Sequence, residues 1–272
     1  MGAPDADTAF LIEDPLLSGS IFDHLSLEIT GSAGSQLGAS AASLEDTNQD
    51  GWDEIAVAAP FSSQNTTQDG AVFLFSPAGA GSLQETDAFA ILVGPSAGSA
   101  PGVQPEGMLG LDSDGDGLQE LAIGAPQAAG GAGEVFLVQP GQTGTVGLEN
   151  SIGVWTGASG AGTALAAGDL NQDGHEDLLI GASHQVYGLW GPGFGNGSLG
   201  DRVVGSNLFG ASVAVVGDLN GDGAPEWAAG APAGDEVLVF SGAFSGVISA
   251  DTAWWQLTGT GSGRAGEVGS LA

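Results

Sequence analysis

The chain has 272 residues and carries 33 aspartates and glutamates against two basic residues, Arg202 and Arg264, a formal charge of −31. It therefore offers no basic footprint for displacing counterions from phosphates or for meeting anionic lipid, which excludes nucleic-acid binding and electrostatic membrane attachment. With 50 glycines, no cysteine and 42% apolar residues it can build a core, but not a disulfide framework, a thiol nucleophile or a cysteine-held metal.

No run approaches the ~20 apolar residues that span a bilayer. The segment Met1–Asp5 lacks the basic and apolar regions of a secretory signal, so export is either absent or directed from outside this sequence. Helical periodicity is nearly absent. Short apolar runs alternate with glycine-rich connections, a pattern of many short strands.

In chain order, Ala9–Glu13 and Leu25–Gly31 read as the third and fourth strands of a four-stranded unit. Four repeats follow, each with an acidic segment: Asp46–Glu54, Asp112–Glu120, Asp169–Asp177 and Asp218–Glu226, whose starts lie 66, 57 and 49 residues apart. A small, apolar first strand containing glycine precedes each segment: Leu37–Ser40, Met108–Leu111, Thr163–Ala166 and Phe209–Val213. A second strand follows it at Ile55–Pro60, Leu121–Pro126, Leu178–Ser183 and Trp227–Pro232. Third strands are expected at Ala71–Phe75, Glu134–Val138, Val186–Trp190 and Glu236–Phe240. Fourth strands are expected at Ala88–Val93, Ile152–Thr156, Arg202–Val204 and Trp254–Thr258.

Four strands per repeat make the blade of an all-β propeller, and one blade cannot bury both its faces alone. The expected organisation is a single propeller domain or fragment: 1–31 the end of a blade, then blades at 32–94, 95–157, 158–205 and 206–259, and 260–272 the first strand of another. Two readings of the ends stay open: closure as five blades, or a window cut from a larger ring.

The acidic segments follow calcium-loop chemistry. Calcium takes six to eight oxygen ligands, which a short loop supplies by turning alternate residues inward. Positions 1, 3 and 5 are Asp46, Asn48, Asp50; Asp112, Asp114, Asp116; Asp169, Asn171, Asp173; and Asp218, Asn220, Asp222. Position 6 is glycine in every loop, which permits a sharp turn. Position 7 varies (Trp52, Leu118, His175, Ala224), as suits a ligand supplied by the backbone carbonyl, with the His175 side chain expected in solvent. Position 9 is acidic: Glu54, Glu120, Asp177 and Glu226. An EF-hand needs a glutamate at position 12 and flanking helices. Position 12 is Val57, Ile123, Ile180 or Ala229, inside an expected strand, so these are cation loops set between strands. Four such loops at matched places imply about four calcium ions, since packed carboxylates without a cation repel.

At these residues the sequence resembles the FG-GAP repeats of integrin α-chain propellers and their bacterial relatives. The resemblance is closest in Phe209-Gly210, Asp218–Gly223 and Gly230–Pro232, and covers roughly residues 31–259. It is looser where Leu37-Gly38 and Leu109-Gly110 replace Phe-Gly, and the third repeat lacks that element. It implies calcium in the hairpin between the first and second strands of each blade. It also implies a ring larger than these four blades.

Two other motifs fail on context. Gly94–Gly98 matches a nucleophile elbow but precedes Ser99–Gly102, which cannot start the helix that motif needs. Gly261–Gly266 matches a dinucleotide fingerprint without a βαβ unit. His24, His175 and His184 have no recurring acid–base partner. The six tryptophans read mainly as core, with Trp254 and Trp255 on opposite faces of one strand and a sugar-stacking platform as the minor reading.

The expectation is an extracellular or cell-surface, calcium-binding adhesion module rather than an enzyme, with no catalytic residue assigned. A protein or glycan would dock at one propeller face, and further blades or domains of a longer parent chain are possible partners. The alternatives are a secreted hydrolase or lyase on the same scaffold, or a purely structural repeat of a large surface protein.

Overall fold

The computed structural model describes residues 2–259 apart from 13–24, 66–67, 79–80, 105, 140, 193 and 195. Nearly all regular structure is strand. An incomplete unit comes first, with β1 (Gly2–Ala3), β2 (Thr8–Ile12) and β3 (Leu25–Thr30). Four units of five strands follow. They are β4–β8 (Ala41–Ser43, Ile55–Ala59, Ala71–Phe75, Ser82–Gln84, Ala90–Val93) and β9–β13 (Met108–Leu111, Glu120–Ala125, Glu134–Val138, Gly144–Gly147, Gly153–Thr156). Then come β14–β18 (Ala164–Gly168, Asp177–Ala182, Gln185–Leu189, Gly197–Ser198, Arg202–Val204) and β19–β23 (Val213–Gly217, Glu226–Ala231, Glu236–Ser241, Val247–Ser249, Trp255–Thr258).

In each unit the first, second, third and last strands form an antiparallel sheet in sequence order, giving sheets I to V. The remaining short strand leaves its own sheet and pairs parallel with the outer strand of the preceding one: β7 on β3, β12 on β8, β17 on β13 and β22 on β18. This crossover is absent from the sequence reading, because two to four residues are too few to carry a periodic signal. It covers an outer edge that would otherwise present unpaired backbone groups. Five mostly antiparallel sheets with almost no helix are consistent with propeller blades.

Successive sheets pack face to face. The second strands are buried on both faces, which explains their unbroken apolar runs. Alternate residues serve alternate neighbours. Val57 and Ala59 of β5 pack with Ala9, Leu27 and Ile29 of sheet I, while Ala56 and Ala58 pack with Leu121, Ile123 and Phe136 of sheet III. Between sheets IV and V, Trp227 is fully buried and stacks on Phe240 with ring centroids 4.3 Å apart. The first strands β4, β9, β14 and β19 lie side by side, so the loops that leave them gather at one end of the stack.

The far face of sheet V has no covering sheet among the described residues. Leu257 is 45% exposed, whereas Trp155 and Val203, at the same register in sheets III and IV, are at most 2% exposed. Trp255 shares the face of Leu257, its ring 6.3 Å from that of Trp254, both are half exposed, and Trp52 is also exposed. Burial therefore accounts for Trp155 and Trp227 but not for these three.

Three expectations need correction. The incomplete first unit begins one strand earlier: β1 and the Pro4 that follows it form Gly2-Ala3-Pro4, the same element as Gly230-Ala231-Pro232. Gly110 is an interior residue of β9, paired with Leu121, and not the counterpart of Gly38. That counterpart is Gly102, and the third repeat has one too, Gly162. Gly38, Gly102, Gly162 and Gly210 all donate their N–H to a second-strand carbonyl, of Ala58, Gly124, Gly181 and Gly230 respectively. All four have positive φ, from 63° to 95°. A Cβ on Gly210 would lie 2.3 Å from the Gln185 carbonyl oxygen of the preceding sheet, so glycine is required by close approach as well as by conformation. The residue before each glycine (Leu37, Pro101, Ala161, Phe209) is buried whatever its size, which hides the motif when phenylalanine is absent. The strand expected at 266–272 and His24 lie outside the described residues.

Candidate metal centre

The four acidic segments form the hairpins from first to second strand: loop II (46–54), loop III (112–120), loop IV (169–177) and loop V (218–226). Short, polar and turn-rich, they cannot continue a strand, and their carboxylates are instead engaged by the loop's own backbone. The same hydrogen bonds recur four times. The N–H at position 6 donates to the position-1 carboxylate, at 2.9 to 3.0 Å, from Gly51, Gly117, Gly174 and Gly223. The N–H at position 5 donates to the side-chain oxygen of position 3, at 2.8 to 3.1 Å. The N–H at position 7 donates to the position-5 carboxylate, at 2.8 to 2.9 Å. Position 4 is left-handed throughout, tolerated by Gln49 and Gln172 and natural to Gly115 and Gly221.

Position 9 anchors each loop from inside. Glu54, Glu120, Asp177 and Glu226 head their second strands, are buried, and accept the N–H of position 2, from Thr47, Ser113, Leu170 and Leu219. The hydroxyls of Thr47 and Ser113 add a second bond of 2.6 Å each. One carboxylate oxygen is thus committed to the loop backbone; the other accepts the Asn48 amide in Glu54 and the Asn220 amide in Glu226, each at 2.7 Å, and the Gly191 N–H in Asp177 at 2.8 Å. Asp46, Asp50 and Glu54 bring oxygens within 4.8 Å of one another, as do Asp112, Asp114 and Asp116. In loops IV and V the asparagine amide lies between the acids. Asn220 Nδ2 donates to Asp222 at 2.9 Å and Glu226 at 2.7 Å, and Asn171 Nδ2 donates to Asp173 at 3.0 Å.

Burial pushes the carboxyls of Glu120 and Asp177 above their usual range, with nearby acids adding to the rise. Asp50 is held below it chiefly by the Ser76 hydroxyl at 2.7 Å, and Asp222 chiefly by the Ala224 N–H. The chain has no lysine, and Arg202, the arginine among the described residues, donates to the Gly200 carbonyl rather than to these clusters. A hard-oxygen donor set of carboxylates, asparagine and a free backbone carbonyl fits a divalent cation of calcium's kind.

The side chains at position 7 differ from expectation in one case. His175 is half buried rather than in solvent. Its ring lies against Gly115 of loop III, and its Nδ1 is buried without a hydrogen-bond partner. Ser76 and Ser241 were not singled out in the sequence, yet their hydroxyls reach Asp50 and Asp222 from the ends of third strands. The signal was available as Phe75-Ser76 and Phe240-Ser241 at matching places. His184 sits exposed in the tight turn between β15 and β16.

Comparison with known proteins agrees with this repeat geometry. The FG-GAP-like repeat family matches residues 112–180 and 169–229, and the FG-GAP repeat family matches 37–75. The chain carries FG-GAP repeats of the integrin α-chain type. Mouse integrin alpha-7 is 41% identical over 108 residues, covering 33% of this chain and 9% of the relative. Mouse integrin alpha-3 is 32% identical over 159 residues, covering 55% and 14%. Bovine phosphatidylinositol-glycan-specific phospholipase D is 38% identical over 105 residues, covering 30% and 12%. The FG-GAP chain spans about a tenth of the length of the integrin relatives it matches. Among solved structures, the V. cholerae biofilm matrix protein Bap1 aligns at TM-score 0.42 and 16% identity, over 80% of this chain and 28% of that one. BBS1N, solved in complex with ARL6DN, aligns at TM-score 0.48 and 11% identity, over 79% and 55%.

Proposed function

We propose that the chain is a calcium-stapled propeller segment that serves as an extracellular binding or adhesion module. One observation carries the reading: the same oxygen-rich loop, with the same internal hydrogen bonds, stands at four equivalent hairpins. Each ion would be held by the side chains of positions 1, 3, 5 and 9 and the carbonyl of position 7. Those residues are Asp46, Asn48, Asp50, Trp52 and Glu54 in loop II, and Asp112, Asp114, Asp116, Leu118 and Glu120 in loop III. They are Asp169, Asn171, Asp173, His175 and Asp177 in loop IV, and Asp218, Asn220, Asp222, Ala224 and Glu226 in loop V.

The ion is structural in this reading. It ties the end of a first strand to the start of a second and neutralises acids that no basic side chain among the described residues is bonded to. Loops of this openness bind in roughly the 10⁻⁴–10⁻³ M range of extracellular modules, which supports a location outside the cell. The integrin likeness supports a ligand at a propeller face.

Calorimetric titration of metal-free protein with calcium tests it. About four equivalents are expected from the four loops, and three with Asp222→Ala, because sheets of a repeat stack contact only their neighbours. Thermal melts with and without chelator should differ, since an ion that binds only the folded state stabilises it. Identical melts would sink the proposal.

A further inference from the structure

Loops III and IV touch, and they do so through positions 7 and 8 of loop IV. Glu176 occupies position 8 of loop IV, between His175 and Asp177. Its carboxylate accepts the N–H of Asp112, the first residue of loop III, at 2.9 Å, and its own N–H donates to the Asp112 carbonyl at 3.4 Å. The His175 ring lies over Gly115, so close that a Cβ there would meet the ring at 3.0 Å. Loop III is therefore seated on the residues at positions 7 and 8 of loop IV.

The other neighbouring pairs differ at position 8. Between loops II and III the residue is Gln119, whose amide oxygen accepts the Glu45 N–H at 3.2 Å, one residue before the first ligand. Between loops IV and V it is Pro225, which has no polar side chain and no N–H and whose carbonyl accepts from Gly242 at 3.4 Å; these loops approach only loosely, the Gln172 amide lying 3.9 Å from where a Cβ on Gly223 would stand. The charged, closest and doubly bonded contact is the one between loops III and IV.

Building on the calcium reading, we propose that loops III and IV load as a coupled pair, with Glu176 the positioning residue that couples them. An ion in loop IV fixes the backbone on either side of Glu176. Its carboxylate then holds Asp112 in place, and loop III spends less ordering entropy on its own ion. Repulsion between the two ions opposes this, but is screened by salt over about 8 Å at physiological ionic strength. The ordering contribution is not screened. No such link joins loops IV and V.

The amides of Gly117, Gly174 and Gly223 donate to the first ligands of their own loops, so their NMR signals report the three loops separately during calcium titration. With loop IV disabled by Asp173→Ala, the calcium midpoint read at Gly117 should rise at least about five-fold, the lower end of ordinary coupling between sites. Asp222→Ala, which disables loop V, should move the Gly174 midpoint by less than about two-fold, because no such coupling links those loops. Glu176→Ala should raise the Gly117 midpoint, and adding Asp173→Ala to it should raise it little further. Glu176→Gln, which leaves an acceptor like that of Gln119, should keep part of the coupling and guards against a folding defect. An unchanged Gly117 midpoint in Asp173→Ala, or full coupling in Glu176→Ala, overturns the proposal while leaving calcium binding intact. Glycine amides that ignore calcium in the unaltered chain overturn calcium binding and coupling together.

Discussion

Replacing Glu120 by glutamine should have opposite consequences with and without calcium. Glu120 is buried at the head of β10, and its Oε2 accepts the backbone N–H of Ser113 at 3.0 Å and the Ser113 hydroxyl at 2.6 Å. A glutamine keeps one carbonyl oxygen for both donors and removes the charge. Asp112, Asp114 and Asp116 stand in the same loop, and burial lifts the Glu120 carboxyl above its ordinary 4.5. In chelator the substitution removes a desolvated negative charge, so the melting temperature at pH 7 should hold or rise. With calcium at about a hundred times its dissociation constant, a lost site forfeits about 2.7 kcal/mol. At roughly 2–4 °C per kcal/mol for a chain approaching this size, the fall should be about 5–10 °C.

Acidity gives a second reading of the same group. Because its folded-state value is raised, neutral Glu120 favours the fold. That contribution is present below 4.5 and is lost as pH rises through the raised value. The metal-free parent should therefore gain stability as pH falls from 7 toward the carboxylate range, and Glu120→Gln should show less of that gain. Scanning calorimetry at pH 5 and 7, with calcium or chelator, measures all four conditions. An equal fall in melting temperature in chelator and in calcium would show Glu120 to be an ordinary hydrogen-bond acceptor and refute the ligand role.

Trp227→Ala should lose about 3–5 kcal/mol in urea unfolding, since Trp227 is fully buried, stacks on Phe240 and donates its indole N–H to the Gly242 carbonyl. A loss under about 1 kcal/mol would mean that the gap between sheets IV and V closes easily. Gly210→Ala should be more damaging than its one added methyl suggests. The φ of 89° alone opposes any side chain by roughly 1–2 kcal/mol, and the Gln185 carbonyl blocks the Cβ. Unfolding free energy within about 0.5 kcal/mol of the parent, the range of a neutral surface change, would argue against the close approach. Asp7→Ala should destabilise by about 1–3 kcal/mol, because its carboxylate accepts the N–H groups of Gly34 at 2.7 Å and Gln36 at 2.6 Å. Faster hydrogen exchange confined to residues 31–38 would locate the effect there.

The repeat period, the strands beside each acidic loop and the positions whose oxygens the loop backbone engages were all legible in the chain. Local rules govern them: apolar runs set the middle strands, and alternating oxygen side chains with a glycine set the loops. Asp46–Glu54 needs only its own nine residues to be read as a cation loop. Other features depend on residues far apart in sequence. The crossover strands β7, β12, β17 and β22 form because a preceding sheet offers a free edge. Gly102 and Gly162 belong with Gly38 and Gly210 because each meets a carbonyl of the next strand, a relation that sequence alignment around phenylalanine misses. The ring of His175 lies against Gly115 because sheets III and IV bring two loops 57 residues apart into contact. Composition and local spacing specify the unit and its chemistry, because those interactions close within one hairpin. The packing of sheet on sheet decides which of those hairpins touch, because that interaction exists only between units.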